Sequence, residues 1–147
     1  MAPEVSVRYE IEVGIDAAPD AVWAVLANVE HWPDWTPSMT LVRRLEDGPF
    51  GVGSTVRVRQ PRLPPAVYTV TEYEPGRSFA WAATAPGLTT TGDHQIIARA
   101  DGHSTVRLVL DQTGVLAPLA GLLAGRLARR YVTLEAEGLK RRCKSRP

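Results

Sequence analysis

Residues 66–84, AVYTVTEYEPGRSFAWAAT, decide the fold. Two runs rich in β-branched, aromatic and small residues, 66–74 and 77–84, flank Glu74-Pro75-Gly76, a cluster that turns the chain sharply. Strands joined by so short a turn pair antiparallel. Along 77–84 the period of two puts Phe79, Trp81 and Ala83 on one face.

The same period extends outward on both sides. Segments 39–46, 55–60, 88–99 and 104–113 are predicted strands. The breaks hold turn residues: Asp47-Gly48-Pro49 with Gly51 and Gly53, Pro61 to Pro65, Ala85-Pro86-Gly87, and Asp101-Gly102. A first strand at 5–15 alternates Val5, Val7, Tyr9, Ile11 and Val13 with polar partners, which makes seven. Between it and the second strand lie two short helical segments. Pro19 sits where a first turn tolerates it, ahead of a helix over 21–28. His31-Trp32-Pro33-Asp34-Trp35 forms another turn, ended by Thr36-Pro37. After Gly114 the period becomes 3.6 up to about Cys143, with Leu116, Ala120, Leu123, Leu127, Tyr131, Leu134 and Gly138 as the apolar face.

A twisted seven-stranded sheet curls around whatever its apolar face buries, and the last helix is the only long element on offer. The fold class is therefore α+β: an antiparallel sheet curled around a long C-terminal helix, with two short helices between strands 1 and 2. One helix is about 10–12 Å across, narrower than the trough of such a sheet. Several inward positions carry small residues (Ala80, Ala82, Ala83, Ala98, Ala120, Ala124), so the expectation is an internal cavity.

Composition narrows the classes. A chain of 147 residues with 44% hydrophobic and 22% charged residues forms one domain, 1–147, without staples. The single cysteine, Cys143, excludes a disulfide framework and suits a reducing, cytoplasmic setting. The start MAPEVSVRYE carries Glu4 and Glu10 and has no apolar run behind a basic start, unlike a signal peptide. The longest uncharged apolar stretch, 115–125, is too short to cross a bilayer. Eight basic residues from Arg126 onward against Glu135 and Glu137 give that end +6 within a net charge of +1. The basic tail, about 140–147, complements the helix dipole. Together with Arg129 and Arg130 it also offers a peripheral membrane or partner contact. It has no interleaved aromatic residues of the kind a nucleic-acid platform needs, so no nucleic-acid partner is expected. No cofactor is expected, and no metal site, since the three histidines lie in separate elements.

The chain resembles the START-like, or SRPBCC, superfamily with its helix-grip fold, in the polyketide cyclase/dehydrase-type branch. The residues carrying the resemblance are Ala18-Pro19-Asp20-Ala21-Val22-Trp23, Val29-Glu30-His31-Trp32-Pro33-Asp34-Trp35, and Gly53 before Val56-Arg57-Val58. Others are Val70 to Trp81, the Asp101-Gly102 hairpin, and Leu134 to Lys140. The resemblance implies a hydrophobic pocket between sheet and helix with its mouth near the short helices. It does not fix an activity, because members include cyclases, lipid carriers and co-chaperones.

The expected function is binding of an aromatic, polyketide-like or lipid-like small molecule in that cavity. Expected ligand contacts are Trp32, Trp35, Met39, Tyr68, Trp81, Leu127 and Tyr131, with His94 as the polar contact on the inward face shared with Gly92, Ile96 and Ala98. The rival reading is a cofactor-independent cyclase or dehydratase with His94 as base and Tyr131 as acid. Aromatase/cyclase members use a cavity arginine. The strand that usually supplies it corresponds to 66–74, which has none, and Met39 stands where a tyrosine can occur. Without that cation a cyclase lacks its largest electrostatic contribution. The Ala117, Gly121, Gly125 row allows close helix packing, on the sheet or on the second subunit of a homodimer.

Overall fold

A computed structural model describes residues 6–144. It contains β1 (Ser6–Ile15), α1 (Pro19–Leu26), a 3-10 helix (Val29–Asp34), β2 (Leu41–Arg44), β3 (Thr55–Arg59), β4 (Ala66–Glu74), β5 (Ser78–Ala85), β6 (Leu88–Ala98), β7 (Ser104–Thr113) and α2 (Ala117–Lys144). The strands form one antiparallel sheet in the order β1-β7-β6-β5-β4-β3-β2. The expected seven strands and three helical segments are all present. Val5, the first residue of the expected first strand, and residues 145–147 of the expected tail lie outside the described residues.

The first strand pairs with the last, Ser6 to Ile15 against Thr113 to Ser104. The two short helices then carry the chain across to β2 at the opposite edge. The first of them starts at Pro19, earlier than the apolar pattern suggested, because proline at the first helical position needs no amide donor. A register shift between Val70 and Glu72 in β4 adds local twist and bend.

Buried side chains concentrate where the short helices, the sheet and the second half of α2 meet: Val22, Leu26, Trp32, Trp35, Val56, Phe79, Val106, Ala136 and Leu139. Cys143 belongs to this core, its thiol buried although its neighbours in sequence are basic. Residues 140–144 of the supposed tail complete the helix. Gly114 turns the chain from β7 into α2 at φ +109°; a Cβ there would sit 2.5 Å from the Gly87 carbonyl oxygen. Ala98 is exposed near the end of β6, which removes it from the expected inward face. No helix among the described residues is long and apolar enough to cross a membrane.

Candidate functional site

Between sheet and α2 lies a cavity of about 500 Å³, within the range that holds small organic ligands. Its walls come from Met39, Val58, Tyr68, Trp81, Leu108 and Leu110 of the sheet side and from Ala120, Ala124, Ala128 and Tyr131 of the helix. The alanine row leaves the space. Every fourth residue of α2 is small at these positions, so the helix backbone approaches without filling the trough.

The inner end of the cavity is closed by buried Met39, Trp81, His94 and Glu135. Its outer end is bordered by exposed Pro64 and Pro65 of the β3–β4 loop and by Thr84 and Ala85 at the β5–β6 hairpin. The mouth therefore lies away from the two short helices, contrary to what the resemblance implied. Those helices plug the closed end instead.

The expected contacts divide accordingly. Met39, Tyr68, Trp81, His94 and Tyr131 line the cavity. Trp32 does not: it is fully buried, its indole N–H donates to the Leu26 carbonyl at 2.9 Å, and its ring packs on Trp35 at 5.4 Å and Trp81 at 5.2 Å. Trp35 is likewise core, wedged against Gly138 of α2. Leu127 also falls off the lining: α2 turns its alanine row inward and leaves Leu127 half-buried outside it. Leu123, placed on the inward face by periodicity, points to solvent.

His94 is held on all sides. Its ring stacks on Phe79 at 4.3 Å and meets the edges of Trp32 and Trp81 at 5.3 and 5.5 Å. Nδ1 lies 3.2 Å from the carbonyl oxygen of Phe79, its cross-strand partner in β5. A carbonyl only accepts, so Nδ1 carries the proton and donates it. The neighbouring Asp93 carboxylate accepts from the Gln95 side chain at 2.7 Å. Gly92 makes room for this arrangement, since a Cβ there would come within 3.0 Å of the Trp81 indole nitrogen.

His94 Nε2 faces Glu135 Oε1 at 3.4 Å. With Nδ1 committed, the contact attracts only if one proton sits between Nε2 and Oε1. Oε1 is buried and receives no hydrogen bond of proper geometry, which leaves an acceptor unsatisfied at the cavity floor. Glu135 escaped the sequence reading because it was counted as charge at the basic end. The available signal was its spacing: four residues after inward Tyr131 and three before Gly138.

The two tyrosines have different fates. The Tyr131 hydroxyl donates to the Pro61 carbonyl, clasping the β3–β4 loop to α2, so its proton is not free for the acid role foreseen for it. Tyr68, packed on Trp81 at 5.4 Å, has no protein acceptor for its hydroxyl among the described residues. Burial, aided by the nearby Glu135 carboxylate, pushes its pKa up to about 12. It therefore stays a donor across the physiological range. Arg57 and Arg59 face outward and contribute no cation to the cavity.

A curled antiparallel sheet gripping a long helix around a hollow interior defines a helix-grip protein. The model of the family described as polyketide cyclase / dehydrase and lipid transport matches residues 6–145, and the chain belongs to that family. Solved structures agree on the fold. The Zhui aromatase/cyclase from Streptomyces sp. R1128 is 21% identical, with a TM-score of 0.74 over 97% of this chain and 96% of that one. A hypothetical protein from Helicobacter pylori is 14% identical, with a TM-score of 0.78 over 95% and 88%. Norcoclaurine synthase from Thalictrum flavum, in complex with dopamine and hydroxybenzaldehyde, is 13% identical, with a TM-score of 0.70 over 98% and 90%. Among curated proteins no sequence matches.

Proposed function

We propose that the chain is a binding protein for a hydrophobic small molecule, aromatic or lipid-like, that carries a hydroxyl or N–H group at its inner end. One observation carries this reading: a cavity with largely apolar walls ends on a buried carboxyl oxygen whose contact with His94 lacks the geometry of a hydrogen bond. A ligand donor reaching Glu135 Oε1 would satisfy it, while Met39, Trp81 and the ring of Tyr131 cover the apolar body. Tyr68 would supply one donor for a ligand oxygen. A reducing, cytoplasmic setting is part of the proposal, since a chain with a single cysteine has no disulfide framework to preserve.

Displacement of an uncharged naphthylamine dye tests the reading. 2-Naphthol should displace it at a concentration at least tenfold lower than naphthalene, and Glu135→Leu should erase that preference while dye binding persists. Trp81→Ala and Met39→Trp should both weaken the dye. Failure of the dye to bind, or a preference untouched by Glu135→Leu, would overturn the assignment. Native mass spectrometry of protein from its own host identifies the natural guest.

The enzymatic alternative rests on the same pair. His94 Nε2 and Glu135 can hold a proton and return it, which is what a base for enolisation of a polyketide requires. Tyr68 replaces Tyr131 as the donor. Turnover of an aromatic polyketide that His94→Ala abolishes, with dye binding spared, would favour it.

A further inference from the structure

The first half of α2 is built inside out. Its alanines face the cavity and its leucines face solvent. Val115, Leu122 and Leu123 are 85%, 81% and 76% exposed, and Leu116 and Leu119 are exposed as well. Isolated exposed leucines are ordinary, but five large apolar side chains within nine residues form a patch, and patches of this kind mark contact sites.

The patch is continuous with the cavity mouth. Leu116 donates its amide to the Gly87 carbonyl at 2.9 Å, which joins the start of α2 to the β5–β6 hairpin. The Tyr131–Pro61 hydrogen bond joins the helix to the loop that carries Leu63, Pro64 and Pro65. No charged residue occurs in 63–71, 78–92 or 112–125, the three segments that meet there. Cations follow directly. On the outward stripe of α2, Leu119, Leu122 and Leu123 give way to Arg126 and Arg130, with Arg129 alongside and Arg62 across the Pro61 clasp. None of the four makes an ion pair among the described residues, and Arg129 lies over the Tyr9 ring at 5.6 Å. At about 1.5 Å per residue, Arg126 and Arg130 trail Leu122 by roughly 6 and 12 Å along the axis. That spacing sets arginines at phosphate level when leucines are buried about 5–10 Å into a lipid interface.

We infer that the mouth of the cavity docks on an anionic lipid surface, with Leu119, Leu122 and Leu123 inserted and Arg62, Arg126 and Arg130 on the headgroups. A second copy fits less well. Residues 112–134 contain no carboxylate, so a face-to-face pair would set arginines against arginines with nothing to complement them. The docked surface is distinct from the basic residues 140–144, which lie at the other end of the helix. The inference depends on the cavity reading only for what docking would serve.

Co-sedimentation of the full chain tests it, using vesicles of phosphatidylcholine alone or with about one third phosphatidylglycerol. Binding is expected to the anionic vesicles and to fall with salt. The double variants Leu122→Ser with Leu123→Ser, and Arg126→Ser with Arg130→Ser, should each weaken it at least tenfold. Their melting curves and dye affinity should match the parent, because these side chains do not line the cavity. No vesicle binding would overturn the inference, as would binding that the leucine variant leaves intact. A dimer in solution that the leucine variant dissolves, without vesicle binding, would assign the patch to a second copy instead.

Discussion

The two halves of α2 share a backbone and little else. From Tyr131 to Cys143 the helix buries Tyr131, Val132, Glu135, Ala136, Gly138, Leu139 and Cys143, while from Ala117 to Arg130 only Ala117 is buried. The inner half stabilises the fold through close packing. The outer half keeps a void open with alanines and spends its leucines on the surface. Stability and function are thus divided along one helix, and substitutions in the two halves should have opposite signs.

The largest effect is expected at Gly138. A methyl there would overlap the Trp35 carbonyl oxygen, a backbone atom that cannot rotate away. Overpacking a core typically costs about 1–3 kcal/mol, and contact with fixed backbone lies at the top of that range. Gly138→Ala should therefore lower the unfolding free energy by about 3 kcal/mol in urea titration. A loss below 1 kcal/mol would mean that the short helices are not gripped as described.

Next comes a pH effect at the inner end. The folded chain holds the Tyr68 proton to about 12, against 10.0 ordinarily. The stabilisation is fully present below pH 10 and is lost as pH rises towards 12, up to roughly 2–3 kcal/mol by linkage. Comparison with Tyr68→Phe isolates this contribution, since the remaining tyrosines titrate in both proteins. Glu135→Gln should bring the Tyr68 titration down, because the carboxylate is the second cause of the shift after burial. An alkaline stability profile identical in parent and Tyr68→Phe would remove Tyr68 from the enclosed site.

The outer half answers to binding rather than stability. Ala124→Phe places a ring in the cavity and should reduce dye affinity at least tenfold, about 1.4 kcal/mol, with an unchanged or higher melting temperature. Reduced stability with intact affinity would mean that the space beside Ala124 is not the binding volume.

The same division explains what the sequence disclosed. Strand ends were legible because Glu74-Pro75-Gly76, Ala85-Pro86-Gly87 and Asp101-Gly102 turn the chain by local chemistry. Trp81 and His94 were legible because a period of two fixes the face. The inward face of α2 was misjudged at Leu123 and Leu127, since a hydrophobicity count favours leucine over alanine wherever the two compete. Here the cavity reverses that preference. Trp32 and Trp35 were assigned to the mouth through the resemblance, whereas their burial depends on where Phe79 and Gly138 lie, which is tertiary information. Glu135 was hidden because a carboxylate in a basic segment reads as solvated until its distance to His94 is known.

The smallest effect sharpens the comparison within one residue type. At Gly121 an added Cβ would stand 3.4 Å from Val7 Cγ2, an ordinary contact, while at Gly125 it would stand 2.9 Å from the Tyr9 hydroxyl. Both glycines thus press α2 on β1 of the same chain. Alanine in a helix interior is favoured over glycine by about 0.8–1.0 kcal/mol. Gly121→Ala should therefore stabilise the protein by about 0.5–1 kcal/mol. Gly125→Ala should gain less, because the Tyr9 ring must shift beneath Arg129 to admit the methyl. Thermal melts of the three alanine variants should rank Gly121 above Gly125, and both far above Gly138. If Gly121→Ala were as damaging as Gly138→Ala, the outer half would be packed as tightly as the inner half, and the cavity could not have the width that its alanine row gives it.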